Sequence, residues 1–96
     1  MKLMFSATAV ADLERLRRFI EEHDPDAASR VAGRLIEQID HLRRFPELGR
    51  SVEQAPVPES LRDVIFGNYV IRYSIHAGTI VVLKVWHQAE PRGAGL

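Results

Sequence analysis

Residues 67–87 read GNYVIRYSIHAGTIVVLKVWH, and this stretch decides the fold. It holds two apolar runs, Tyr69 to Ile75 and Thr79 to His87, rich in β-branched and aromatic residues and separated by His76-Ala77-Gly78. Such runs around a short Gly-containing spacer predict a β-hairpin. Read as a three-residue loop, the spacer places Gly78 where a left-handed residue closes the turn. That loop pairs Ile75 with Thr79, Tyr73 with Val81, Ile71 with Leu83 and Tyr69 with Val85. Tyr69, Ile71, Tyr73, Val81, Leu83 and Val85 then share the core face. The other face carries Val70, Arg72, Ser74, Ile80, Val82, Lys84 and Trp86. It is too cationic for a core and too apolar for an ordinary wet face, so it is where function is expected.

Working outward, Gly67-Asn68 is a two-residue hairpin signal that joins Leu61–Phe66 to Tyr69 as a preceding strand. Asp63 then faces Arg72 across the strands. This gives Arg72 a structural reading as a cross-strand ion pair, beside a functional reading as an anion ligand. The segment from Glu47 to Ser60 contains Gly49, Pro56 and Pro58 and is expected to be a loop. Its length is unusual for a small domain, and long ordered loops are often functional.

Upstream, Lys2 to Phe5 predicts a brief strand and Ser6 an N-cap, its hydroxyl accepting from a first-turn amide. Val10, Leu13, Leu16 and Ile20 recur at helical spacing over Ala7 to about His23. Asp24-Pro25-Asp26 restarts the helix, with Asp24 as cap and Pro25 at the first helical position. The second helix is expected to run to about Phe45, its stripe formed by Ala28, Val31, Ala32, Leu35, Ile39 and Leu42. Gly33 inside it costs roughly 1 kcal/mol relative to Ala; either a close helix–helix contact requires it or it is an uncompensated defect. The order β-α-α-β-β-β defines an α+β domain, a helical hairpin packed on one face of a small antiparallel sheet. The domain is expected over 1–87, with 88–96 a loosely held tail.

The 96 residues suffice for one core. Thirteen basic and thirteen acidic side chains cancel, so no global field draws the chain to nucleic acid or membrane. Eleven of those cations are Arg, whose planar fork suits anionic partners, although a GC-rich genome explains the bias equally well. The absence of Cys excludes disulfides, thiol nucleophiles and Cys-based zinc sites. The four His lack the spacing of a metalloprotease motif, so no metal or cofactor is expected. No apolar run approaches the ~18 residues of a membrane span, and no secretory signal opens the chain. A soluble cytoplasmic protein is expected.

FSATAVADLERLRRFI at 5–20, FPELGR at 45–50, LRDVIFGNYVIRYSI at 61–75 and VVLKVWH at 81–87 occur in this order. Together they resemble the RelE/ParE superfamily of toxins from type II toxin–antitoxin modules, over nearly the whole chain. The resemblance implies one of two activities. RelE-type members are ribosome-dependent messenger RNA endonucleases; ParE-type members inhibit DNA gyrase. The nuclease chemistry needs cations and an acid/base residue to activate a ribose 2′-hydroxyl and stabilise the phosphorane. The RelE pattern places an Arg directly after the Tyr of the middle strand, where this chain has Val70. The lysines of the preceding strand and the C-terminal Arg and Tyr of that pattern are also unmatched.

The resemblance therefore implies a ParE-like gyrase inhibitor neutralised by a cognate antitoxin. Its antitoxin would lay an amphipathic helix and an extended segment over the helical hairpin and sheet edge. Leu13, Leu16, Val70, Ile80, Val82, Lys84 and Trp86 are the expected partner-binding residues. The alternative is a ribosome-dependent endonuclease with His87 as acid/base and Arg62, Arg72 or Arg92 as phosphate ligands. By strand parity His87 falls on the core side, which gives it a structural reading too. A third reading is an inactive toxin-fold protein that only binds antitoxin.

Overall fold

The computed structural model describes residues 1–53, 55 and 60–90. Strand β1 (Lys2–Phe5) leads into α1 (Ala7–His23) and α2 (Pro25–His41); β2 (Arg50–Ser51), β3 (Leu61–Phe66), β4 (Tyr69–His76) and β5 (Thr79–His87) follow. Among the described residues the strands form one sheet in the order β1-β5-β4-β3-β2. The helix starts are those expected. The Ser6 hydroxyl accepts from the Ala9 amide at 3.0 Å, and the Asp24 carboxylate accepts from Asp26 and Ala27, both at 3.1 Å. Both caps satisfy amides that a first helical turn leaves unpaired.

Four expectations are corrected. The sheet is mixed, because β1 pairs in parallel with β5 while β2 through β5 pair antiparallel. The expected loop contains β2, which lies antiparallel to β3 with Arg50 opposite Asp63. The second helix ends at His41, where amides of residues 42, 43 and 44 turn to carbonyls three residues back and tighten the chain. Of the two readings of Gly33 the uncompensated one holds, since a Cβ there would meet nothing within 4 Å.

The fourth correction is the register of the β4–β5 hairpin. His76 pairs with Thr79, leaving a two-residue turn in which Ala77 (φ 48°) and Gly78 (φ 76°) are both left-handed. This backbone matches the twist of the flanking strands. The pairing shifts by one residue, so Ile75 faces Ile80 and Tyr73 faces Val82. A bulge then takes up Leu83, and pairing resumes with Arg72 opposite Lys84 and Ile71 opposite Val85. As a result Ile80 and Val82 are fully buried core residues instead of outward-facing ones.

The core lies between the helices and one sheet face. Ala9, Leu16, Leu35 and Ile39 pack with Ile71, Val82 and Val85, while Leu42, Tyr73 and Ile80 continue the core at its other end. Tyr73 organises that end. Its hydroxyl donates to the Pro46 carbonyl at 2.7 Å and accepts the Gly49 amide at 2.8 Å. The FPELGR segment is thus wrapped around a tyrosine hydroxyl. A Cβ at Gly49 would lie 2.8 Å from that oxygen and 3.0 Å from the Asp63 carbonyl.

The two glycines should respond oppositely to alanine. Gly33→Ala should stabilise the domain by about 1 kcal/mol through helix propensity. Gly49→Ala should destabilise it by roughly 1–3 kcal/mol through overpacking. Urea denaturation of both variants checks this.

Candidate functional site

The sheet face away from the helices is built in rows by the strand register. One row is Ile65, Val70 and Trp86; the next is Asp63, Arg72 and Lys84. Arg72 is fixed within this surface. Its Nε and Nη2 donate to the two Asp63 oxygens at 2.8 and 2.9 Å, and its guanidinium lies 5.3 Å from the Trp86 ring centroid. The Asp63 hydrogen bond raises the Arg72 pKa against the opposing effect of burial. The cross-strand pair read from the sequence is present, with a cation–π contact added.

Arg62 lies on the opposite face, since it pairs with Tyr73 while Asp63 pairs with Arg72. Its guanidinium donates to the Gly49 carbonyl at 2.8 Å and the Glu47 carbonyl at 3.3 Å, securing the wrap around Tyr73. His87 pairs with Tyr69, four residues or about 13 Å along β4 from the Tyr73 end. Its Nδ1 accepts the Ala89 amide at 3.0 Å. Its ring stands edge-on to Tyr69 at 4.9 Å and lies 6.2 Å from Phe19. Arg62, Arg72 and His87 therefore do not converge on one point. Arg92 lies outside the described residues.

The expected docking residues also separate. Ile80 and Val82 are in the core, and Val70 is only 7% exposed, so none offers a side chain to a partner; this corrects the outward patch expected from the sequence. Trp86 and Lys84 are half-buried on the open sheet face. Leu13 and Leu16 line an apolar groove of about 360 Å³ along the helices, where Leu16 is buried and Leu13 half-buried. Phe5, Val10, Ile20, Ala32 and Ile36 complete its apolar lining, with Glu14 and Arg17 also present. Val10 and Ile36 are each about half exposed, at 47% and 49%. The groove is an outward-facing apolar surface along the helices.

A charged cluster was missed in the sequence. Asp12 is buried at 2% exposure; it binds Arg15, and its second oxygen accepts the Val85 amide at 2.9 Å. Arg15 in turn donates to Glu90 at 2.9 and 3.3 Å and to the Val85 carbonyl at 3.3 Å. Glu90 also accepts the His87 amide at 2.9 Å, while the Gln88 amide donates to the Asn68 carbonyl at 2.7 Å. Residues 88–90, the start of the expected loose tail, are thus tied to the domain. The available signal was spacing: Asp12 lies on the buried stripe of α1 with Ala9, Leu16 and Ile20.

Among the described residues no group of His, Cys, Asp and Glu forms a metal site, and no helix is long and apolar enough to cross a membrane. A helical hairpin packed on a five-stranded mixed sheet defines a small α+β fold, with an apolar groove along its helices. The model of the ParE toxin of the type II toxin–antitoxin system, parDE, matches residues 3–92. The chain is 35% identical to Toxin RelE1 of Caulobacter vibrioides over 92 residues, covering 94% of this chain and 96% of that protein. It is 34% identical to Toxin RelE2 of the same organism over 90 residues, 93% of this chain and 97% of the relative. Its fold matches the chromosomal ParDE system from P. aeruginosa with a TM-score of 0.77 at 18% identity, covering 91% of this chain and 95% of the other. It matches the RelBE2 complex of Mycobacterium tuberculosis at 0.69 and 24%, covering 93% and 92%. The chain belongs to the ParE/RelE family of toxins of type II toxin–antitoxin systems.

The charged cluster carries a pH dependence. Burial pushes the Glu90 carboxyl up, but Arg15 and the His87 amide outweigh it and hold the group below its ordinary 4.5. A depressed folded pKa contributes stability above the unfolded value, lost as pH falls through the folded one. Glu90→Gln should therefore cost on the order of 1 kcal/mol at neutral pH. Its difference from wild type should shrink as pH drops below 4.5. Denaturant titrations across pH 3–7 (approximate range bracketing the carboxylate) check the sign.

Proposed function

We propose that this toxin arrests growth by binding DNA gyrase and that a cognate antitoxin neutralises it. The observation carrying the gyrase reading is the divergence of the nuclease candidates. A phosphorane needs donors and an acid/base group aimed at one reacting atom. Here Arg62 and Arg72 occupy opposite sheet faces and are engaged with Gly49 and Asp63. His87 sits at the far end of the strand, and its Nδ1 holds a backbone amide. Val70, where the nuclease pattern has Arg, is nearly buried and supplies no charge.

The antitoxin reading is supported by the groove lined by Val10, Leu13 and Ile36. It has the dimensions and apolar character for the buried stripe of an amphipathic helix. The solved ParDE and RelBE2 systems with this fold pair a toxin with an antitoxin in their names.

Purified toxin should inhibit gyrase supercoiling in vitro, and added antitoxin should restore it. His87→Ala should retain growth arrest wherever the variant stays folded. Normal supercoiling at saturating toxin, with arrest retained and new cleavage sites in translated messages by primer extension, would overturn the gyrase reading in favour of the nuclease.

A further inference from the structure

The Asp12–Arg15–Glu90 cluster does more than fill space. The carboxylate of Asp12 is buried on α1, Glu90 belongs to the segment after β5, and the Arg15 guanidinium bridges them. The side chains of Arg15 and Glu90 are 32% and 8% exposed, so Arg15 keeps a route to solvent while Glu90 is covered. Four backbone hydrogen bonds depend on the position of this segment: Gln88 to Asn68, His87 to the Glu90 carboxylate, Ala89 to the His87 ring and Glu90 to the His87 carbonyl. None involves the buried apolar residues. A unit held by polar contacts, with few apolar ones, can open at a free energy below that of global unfolding.

We propose that Asp12, Arg15 and Glu90 form an electrostatic latch that holds residues 88–90 against α1. Its opening frees the end of β5, with His87, as a local unit while the core stays folded. Arg15 and Glu90 are positioning residues. The groups facing Glu90 are Arg15 from α1 and His87 from β5, with Tyr69 of β4 nearby, its pKa raised by burial first and by the Glu90 charge second. Asp12 shares Arg15 with Glu90, so loss of either carboxylate leaves the guanidinium with one anionic partner instead of two.

Amide hydrogen exchange measured by NMR on the full chain tests the latch. Glu90→Gln and Arg15→Gln should each speed exchange at the His87 and Ala89 amides by about tenfold, the scale of a lost charge-assisted hydrogen bond. Exchange at Ile71 and Val82 in the core should be unchanged. Salt near ~1 M should speed His87 exchange in wild type but not in Glu90→Gln, since only the former has the Arg15–Glu90 pair to screen. Wild-type exchange at His87 and Ala89 in Glu90→Gln would overturn the proposal. So would a proportional rise at the core amides in that variant, because the cluster would then be part of the global fold.

Discussion

The structure depends on how β5 completes its backbone hydrogen bonds. β5 is the longest strand and lies between β4 and β1, but β1 accompanies it only as far as Val82. Beyond that point no strand of the described residues lies beside that edge of β5, and unpaired amides and carbonyls there would cost free energy if buried. The start of α1 supplies the missing partners. The Ser6 amide donates to the Val82 carbonyl at 2.9 Å and its hydroxyl to the Leu83 carbonyl at 3.0 Å. Asp12 takes the Val85 amide, Arg15 the Val85 carbonyl, and Glu90 the His87 amide. One helix face thus acts as a side-chain substitute for a strand. Ser6 serves twice, capping α1 and pinning it to the sheet, so the helix start and the sheet edge cannot move independently.

That arrangement explains which parts of the fold were legible. The caps at Ser6 and Asp24 are local and were read correctly, as was the Asp63–Arg72 pair, because the Gly67-Asn68 turn fixes its register. The β4–β5 register was not legible. Ile80, Val81, Val82 and Leu83 are all apolar, so a one-residue slip exchanges one apolar face for another and the pattern does not choose between them. Ala77 hid the turn type, since a non-glycine residue at positive φ costs roughly 1–2 kcal/mol and is not expected there. The bulge at Leu83 then restores the odd-numbered parity at Val85. Ile80 and Val82 consequently moved from the expected docking face to the core. The candidate site suffered most from this, because its residues had been assigned by parity.

The cations tell a related story. Read along the sequence, Arg62, Arg72 and Lys84 look like a phosphate-binding face. In three dimensions Arg72 closes a carboxylate fork and covers Trp86, while Arg62 holds the loop around Tyr73. A guanidinium bound to a fixed carboxylate is poorly placed to meet a second anion, since that anion must displace the first or accept its repulsion. Arg62 is constrained differently: releasing it would free the Gly49 carbonyl beside a buried tyrosine hydroxyl. Both arginines are thus engaged in holding the sheet and its neighbouring loop together.

The two long sides of α1 therefore have separate duties. Val10, Leu13 and Arg17 face the groove, whereas Asp12 and Arg15 complete the edge of β5. Adjacent residues such as Asp12 and Leu13 thus serve the domain for unrelated reasons. Loss of Leu13 removes apolar contact area from the groove and the core beneath it, but no hydrogen bond of the β5 edge. Loss of Asp12 strands the Val85 amide and half of Arg15's partners, and disturbs the end of β5 where His87 meets Tyr69. A residue of the groove side and a residue of the β5 side are distinguished by the state of the His87 end. Among the described residues the Asp12–Arg15 side of α1 is the one wired to that end.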